Sequence, residues 1–568
     1  MQPQTPVDSD GPAETREQNS GFRYWAPLVT VSVAMFIGTI DSSMMNVAVP
    51  AIVSDLQTDV TSVQAAITFY GLVMASLMLP AGRVATMYGI KRIYALSLVF
   101  YGIGTLLAAI SWNMGVLFLG WSVIEGIAAA VLLPIGFTLI AINYEGKHRA
   151  MGLGLLAGVS AAAAALGPIF GGILTTFFTW RYGFAGEFIL TLVALALVPF
   201  VADYRDSDVT LDWVGALLSI VGIGAVVLGF ILGGKFGWVR ATRPFEVGGT
   251  QVNPVGLSPT VWLLLLGLVF IVAFVHWQIR RERRGKTPLL PIRVVQNAGF
   301  VSGAATWVFR SVALAGFLFV VPLFLQSAAG FSAFESGLAL LPFSIAGFVF
   351  ALGTTGWRKR VQPKYLIQIG AIAMVVGVLL FYRQTSTTMT ITSMILPMAV
   401  IGVGLGLIMG QIVELTLSSV DETDVSEASS TLNATGMLGY AVGTAIFGSA
   451  LLSSFYGSVV DGVLRTEGIT ATAQERQEIV IRLQDAREIV TEAEREAAYA
   501  ALPPETQQVL FELVQDAMVA SMELTLLLVA GVTAVMLAVA TFLPSHREEE
   551  VSVTDVVDPS DPVIRADD

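Results

Sequence analysis

Apolar residues along this chain fall in long runs divided by short polar breaks, and a run of about 20 is what a helix needs to cross the hydrocarbon of a bilayer. About fourteen runs reach that length, which predicts an all-α membrane protein: helices satisfy every backbone group within one uninterrupted apolar segment. The expected spans run Tyr24 to Ile52, Ser62 to Ala85, Ile93 to Ser111, Met114 to Ile142, Met151 to Thr176, Tyr182 to Val201, Trp213 to Gly234, Pro259 to Gln278, Gly299 to Leu325, Gly337 to Gly356, Leu366 to Tyr382, Ile391 to Val413, Ala428 to Phe455 and Ala517 to Leu543. The first run is too long for a signal-peptide core, which ends near about 15 residues, so it is expected to stay as the first span. Between the last two spans, Tyr456 to Asp516 is polar, with Ile479, Leu483 and Val490 at helical spacing, and predicts a small external helical cap. Pro503 and Pro504 are expected to end its first helix and let a second begin. A solvated hairpin is the simpler reading of the cap; a lid or a docking site for a partner is the sharper one.

Basic residues divide unevenly between alternate loops. The N-terminal side collects Arg83, Lys91, Arg92, Lys147, Arg149, Arg205, the cluster from Arg280 to Arg293, and Arg358 to Arg360 with Lys364; the other side holds Arg181, Lys235, Arg240, Arg243 and Arg383. Positive charge is retained on the cytoplasmic side, so both termini are expected in the cytoplasm, with an even number of spans across the plasma membrane. The acidic loop Asp421 to Glu427 is a weak exception, because acidic residues count little in this rule.

Composition narrows the chemistry further. Of 568 residues, 55% are hydrophobic and 13% charged, as in an integral membrane protein. The absence of cysteine removes disulfides, thiolate metal sites and cysteine nucleophiles, and His148, His276 and His546 lie far apart in sequence, so no metal site is expected. The net charge of -12 comes largely from the tails and one long loop, and no basic face suits nucleic acid.

The first span ends in GTIDSSMMNVAVP, Gly38 to Pro50, which sets Asp41 among apolar residues; an unpaired charge there is expensive, and a functional role is the default reading. The fourth span carries Trp121 and Glu125 in FLGWSVIEGIAAA, the ninth Trp307 and Arg310 in WVFRSVALAG, and the twelfth Glu414. Glu187, a few residues inside the sixth span, reads as a group that snorkels to the nearby interface. The loop GRVATMYGIKR, Gly82 to Arg92, has two glycines that permit tight turns. In the fifth span, small residues around Gly167, Pro168, Gly171 and Gly172 permit close packing, and the proline a bend.

These motifs resemble those of the major facilitator superfamily, and in particular its fourteen-span drug:proton antiporter branch. Gly82, Val84, Ala85, Gly89 and Lys91 fit the loop signature, with Arg83 and Arg92 in the same loop; Thr86 stands where that signature has an acid, and Met87 and Ile90 where it has basic residues. Gly167, Pro168, Gly171 and Gly172 look like the family's antiporter element, and Asp41, Ser43, Asn46, Ala48 and Pro50 like the branch's first-span signature. The fourth span departs: Ser122 occupies the family's arginine position and Glu125 its glutamine position. The resemblance implies two six-helix bundles, residues 24–201 and 298–543, with a two-helix insertion and linker at 202–297, the cap at 456–516 and cytoplasmic tails at 1–23 and 544–568. It also implies that spans 1, 4, 9 and 12, each bearing one charge, line a central cavity.

The function expected from these residues is proton-coupled export of cationic or amphipathic small molecules by alternating access. Burial disfavours the charged form of a carboxylate, so protonation can alternate with binding of a cation. Asp41, Glu125 and Glu414 are the candidate proton carriers; Asp41, Glu125, Arg310, Trp121, Trp307 and Asn46 are the candidate substrate contacts. The partners are then a small-molecule substrate, protons and the lipid bilayer, with no cofactor, and the chain is expected to act as a monomer. Two alternatives stand beside this reading: a proton-coupled organic-anion transporter using Arg310, and a non-transporting receptor or assembly protein that binds through the cap. An enzyme is not expected, since the chain has no HExxH, no GxSxG and no nucleophile-base pair in sequence.

Overall fold

A computed structural model describes residues 22–545 except 145, 206–210, 244, 248–249, 252–255, 354–356, 358–360, 422–424 and 490–496. Both polar tails, the triplet Arg358 to Arg360, most of the acidic loop and Val490 therefore lie outside the described residues.

Fourteen helices are long and apolar enough to cross a membrane. They are α1 Phe22–Asp55, α2 Val60–Tyr88, α3 Ile90–Ala109, α4 Met114–Asn143, α5 Gly146–Phe177, α6 Arg181–Leu197, α7 Trp213–Phe236, α8 Pro259–Arg283, α9 Ala298–Ser327, α10 Ala333–Gly353, α11 Pro363–Gln384, α12 Ile391–Leu417, α13 Val425–Thr466 and α14 Pro504–Ala540. Short polar breaks start them cleanly. Asp59 accepts a hydrogen bond from the Ser62 N–H at the head of α2, and Asn297 accepts one from Phe300 at the head of α9, each at 2.9 Å. Gly89, with φ of 100°, turns the chain from α2 into α3 where a side chain would be strained. Among the described residues the strands amount to one antiparallel pair, Glu246–Val247 with Thr250–Gln251, in the α7–α8 connection.

Helices α1–α6 and α9–α14 form two six-helix bundles that meet along three seams, α2 with α13, α5 with α10, and α1 with α9. The inserted α7 and α8 pack on each other, and α7 lies against α2 and α13 on the outside of the first seam. One end of the assembly carries the Gly82 to Arg92 turn, and the other carries the segment between α13 and α14; these are called the loop end and the cap end.

At the cap end the expected boundaries shift. Helix α13 continues past Phe455 to Thr466, and α14 starts at Pro504 instead of Ala517. No proline interrupts either extension, and Pro504 sits at the first helical position, where a missing N–H costs nothing. A further helix, Ala473–Ile489, is tied to α13 by a bidentate Arg476–Asp461 pair at 2.5 and 2.8 Å.

Candidate transport site

Helix α4 is wound as a π-helix from Phe118 to Glu125, inside its otherwise α-helical span. The close approach of α3 accompanies this irregularity. A Cβ on Gly104 would stand 2.8 Å from both the Gly120 carbonyl oxygen and the Glu125 amide, so only glycine lets the two backbones meet. Insertions of this kind recur at functional sites because they redirect the side chains that follow.

Here the insertion directs Trp121 and Glu125 into the bundle. The Trp121 indole N–H donates to Asp41 Oδ2 at 3.0 Å, and Trp121 packs between Tyr70 and Phe184. Asp41 and Glu125 are completely buried. A third acid joins them: carboxylate oxygens of Asp41, Glu125 and Glu187 lie within 4.8 Å of one another, close enough to be neutralised together by one cation. Asp41 Oδ1 and both oxygens of Glu125 and Glu187 have no hydrogen-bond partner among the described residues. Two ionised carboxylates at 4.8 Å repel by about 3.5 kcal/mol even at an effective dielectric of about 20, so the three cannot all stay charged without compensation.

Glu187 corrects the sequence reading. It does not snorkel; it is 3% exposed. Helix α6 buries Gly183, Phe184, Glu187, Thr191 and Ala194, one stripe at helical spacing, so Glu187 faces the bundle although it lies near a helix end. That stripe, mostly small and polar residues in a Leu-rich helix, was the available signal.

The other candidates fall elsewhere. Arg310 is buried in the C-terminal bundle, its guanidinium 3.9 Å from the Trp307 ring centroid and hydrogen-bonded to Ser311 Oγ at 3.0 Å, and no carboxylate pairs with it among the described residues. Trp307 packs with Ile367, Met374 and Leu432 of that bundle. Glu414 is exposed on α12, outside the acid cluster. Asn46 joins the two bundles: its amide donates to Ser42 O at 2.6 Å and to the hydroxyl of Tyr440 on α13 at 3.0 Å. Tyr440 had no signal in the sequence.

Both glycine motifs lie where helices touch. Gly167 faces Ser43 and Met44 of α1; a Cβ on Gly171 would come within 2.7 Å of the Met44 carbonyl oxygen, and one on Gly172 within 2.6 Å of the Ala333 carbonyl oxygen on α10. The Pro168 carbonyl lies against Gly337 of α10. At the loop end, Arg83 pairs with Glu427 at the head of α13 at 2.9 Å and donates to Pro288 O at 3.0 Å. Thr86, in place of an acid, bonds back to Gly82 O. Asp203 supplies a carboxylate to the same loop: it accepts from the Lys91 amide at 3.0 Å and stands against Gly89, while Lys91 Nζ reaches Pro199 O and Arg92 is exposed. At the cap end, Gln326 bonds to Val47 O at 2.9 Å and Gln64 to Thr444 O at 3.0 Å. An apolar cavity of about 590 Å³ opens beside the loop-end half of α1, lined by Trp25, Leu28, Phe36, Leu155, Val159 and Leu190 among others.

Two helical bundles around buried, unpaired charges define a multi-pass membrane transporter. The chain belongs to the Major Facilitator Superfamily, whose family model matches residues 31–444. It is 30% identical over 437 residues to the puromycin resistance protein pur8 of Streptomyces alboniger, covering 75% of this chain and 81% of that one. It is 26% identical over 497 residues to a probable actinorhodin transporter of Streptomyces coelicolor, covering 83% and 82%. The fold matches that of a bacterial homolog of the human lysosomal transporter Spinster, with a TM-score of 0.58 at 14% identity over 92% of this chain and 98% of that one.

Proposed function

We propose that this transporter exports cationic or amphipathic small molecules by exchanging them for protons at Asp41 and Glu125. The observation that carries the proposal is the burial of these two acids with a tryptophan N–H on one and, among the described residues, no arginine, lysine or histidine among the groups acting on either electrostatically. Their charge is then balanced either by protons or by a cation, one replacing the other. The relatives, a puromycin resistance protein and a probable actinorhodin transporter, support outward movement of antibiotic-like compounds.

Outside protons enter, neutralise the acids and release the substrate; rocking of the bundles along their seams returns the acids to the cytoplasm. In this reading both termini are cytoplasmic, the membrane is the plasma membrane, residues 24–201 and 298–543 move against each other with 202–297 as an insertion, and the monomer is the working unit. The glycine seam α5–α10 and the Arg83–Glu427 pair are the contacts that rocking would remake. Arg310 sustains a second reading, transport of an organic anion, because its buried charge is faced by a ring and a hydroxyl.

The test is proton flux in liposomes holding purified protein and an internal pH dye. Permanently charged cations are expected to evoke flux, and Asp41→Asn to abolish it. Flux evoked by organic anions alone, and lost in Arg310→Ala, would replace the first reading with the second.

A further inference from the structure

The inserted helices α7 and α8 lie over the seam between α2 and α13, and their two ends are fastened to different bundles. At the loop end they pack on the N-terminal bundle. Leu211, Ala216, Phe274 and Leu289 form one apolar cluster with Leu79, Val84 and Met87 of α2, and among the described residues that cluster holds none from α13. Arg83 of α2 donates to the Pro288 carbonyl at 3.0 Å, and Arg205, in the segment that leads into α7, donates to the Met87 carbonyl at 3.0 Å.

At the cap end the attachment passes to the C-terminal bundle. Gly234 of α7 lies so close to α13 that a Cβ there would collide with the Ser449 hydroxyl. Arg243, just beyond α7, donates to Gln484 of the cap helix Ala473–Ile489 at 2.6 Å, and the Arg476–Asp461 pair binds that helix to α13. Here α2 faces them across a polar cavity of about 80 Å³, whose lining includes Asp59, Thr61 and Gln64 of α2 together with Lys235, Ser453 and Gln484. Midway, Leu72 and Val73 of α2, Val227 of α7 and Ala441 of α13 share one small cluster, so the insertion touches both bundles at its centre.

Alternating access opens such a seam at one end at a time. Opening at the loop end parts α2 from α13 where the insertion is held by α2; opening at the cap end parts them where it is held by α13. Neither movement has to break an attachment, and packed units carry their internal contacts with them when bodies rotate.

We infer that α7 and α8 form a diagonal strap that moves with the N-terminal bundle at the loop end and with the C-terminal bundle at the cap end, pivoting near Val227. This rests on the rocking of the two bundles in the proposed transport cycle. A strap fastened in this way stays over the seam whichever end opens, and shields polar side chains such as Gln64 and Thr68 from lipid, where their exposure would be costly.

The chain has no cysteine, so introduced pairs cross-link without background. Full-length protein in liposomes carries one of three pairs, and proton flux evoked by tetraphenylphosphonium is read before and after a short bifunctional thiol reagent, so that each protein is its own control. Val84→Cys with Leu289→Cys joins the loop-end attachment, and Arg243→Cys with Gln484→Cys joins the cap-end attachment. Gly82→Cys with Ser430→Cys crosses the seam itself, where a Cβ on Gly82 would stand 4.0 Å from Ser430 Oγ. Cross-linking the seam should abolish flux, whereas joining either attachment should keep it within about twofold. Flux lost on joining either attachment overturns the strap and leaves rocking intact; flux that survives the seam cross-link sinks rocking and the strap with it. Should a pair fail to fold, or tetraphenylphosphonium evoke no flux and so sink the antiport reading, spin labels on exposed residues decide. With and without the cation and across pH, Trp213→Cys should keep one distance to Tyr88→Cys of α2 and show two to Tyr365→Cys of α11. Val239→Cys should keep one distance to Val463→Cys of α13 and show two to Trp112→Cys, between α3 and α4. Any other pattern overturns the strap.

Discussion

The two bundles bury charge in opposite ways. In the N-terminal bundle three carboxylates stand within 4.8 Å of one another, with five of their six oxygens unpaired among the described residues. In the C-terminal bundle a single guanidinium is covered by an indole ring at 3.9 Å and a hydroxyl at 3.0 Å. A carboxylate titrates within reach of physiological pH when burial and neighbours act on it; an arginine stays protonated in nearly any surroundings. Under the proposed exchange, the difference assigns exchangeable charge to one bundle and fixed charge to the other, with proton chemistry in the first and a constant field from the second.

The largest expected effect breaks or upholds that contrast directly. Glu125→Gln should lower cation-evoked proton flux at least about 100-fold, since it removes an exchangeable site and leaves an amide whose groups lack partners. Arg310→Gln should leave the ratio of proton to cation flux unchanged, whatever it does to the maximal rate. The two variants are compared in the same liposome assay. Loss of coupling in Arg310→Gln with retention in Glu125→Gln would reverse the assignment.

A middle-sized effect comes from the two tryptophans, which occupy corresponding places in the contrast. Trp121 serves Asp41 as a hydrogen-bond donor, whereas Trp307 serves Arg310 through its ring face. Trp121→Phe keeps a ring but loses a bond to a charged group, which is worth about 1.5–3 kcal/mol, so affinity for a permanent cation should fall roughly 10- to 100-fold. Trp307→Phe keeps an aromatic face under the guanidinium and should change affinity less than about fivefold. Equilibrium binding of a fluorescent cation measures both. Equal losses would mean that the indole N–H has no special role on Asp41.

The same contrast bears on what a sequence reveals. Fourteen spans were legible because lipid demands long apolar runs, and any charge inside one stands out, as Asp41, Glu125 and Arg310 did. What could not be read was which of these charges meet. The chain carries one charge on each of four spans, and the family resemblance implied that these spans line a shared cavity, but the structure gathers Asp41 and Glu125 with Glu187, keeps Arg310 in the other bundle and leaves Glu414 exposed. Helix rotation makes that difference: Glu187 sits near a helix end, where depth alone suggests snorkelling, yet its stripe with Gly183 and Thr191 turns it inward. The π-helical turn of α4 was equally hidden, because its sign is the approach of Gly104 to Gly120, a contact between helices and not a local motif. The loop motif lacked its acid at Thr86; the carboxylates came from Glu427 and Asp203, distant in sequence.

The smallest effect concerns the charges that join the bundles at the loop end. Arg83 and Glu427 form a 2.9 Å pair with side chains 16% and 22% exposed, so water and salt screen it. A pair of this kind contributes about 0–1 kcal/mol, and Glu427→Gln should alter the transport rate by no more than about fivefold. If the pair holds the loop end closed during part of the cycle, the effect of Glu427→Gln should shrink as ionic strength rises from about 0.01 to 1 M, where the screening length drops from about 30 to 3 Å. The exchanged pair Arg83→Glu with Glu427→Arg should recover part of the loss, although the hydrogen bond to Pro288 would be sacrificed. A loss beyond 100-fold that salt does not touch would show this exposed pair acting like the buried acids, and the division between exchangeable and fixed charge would then have to extend to the loop end of the seam.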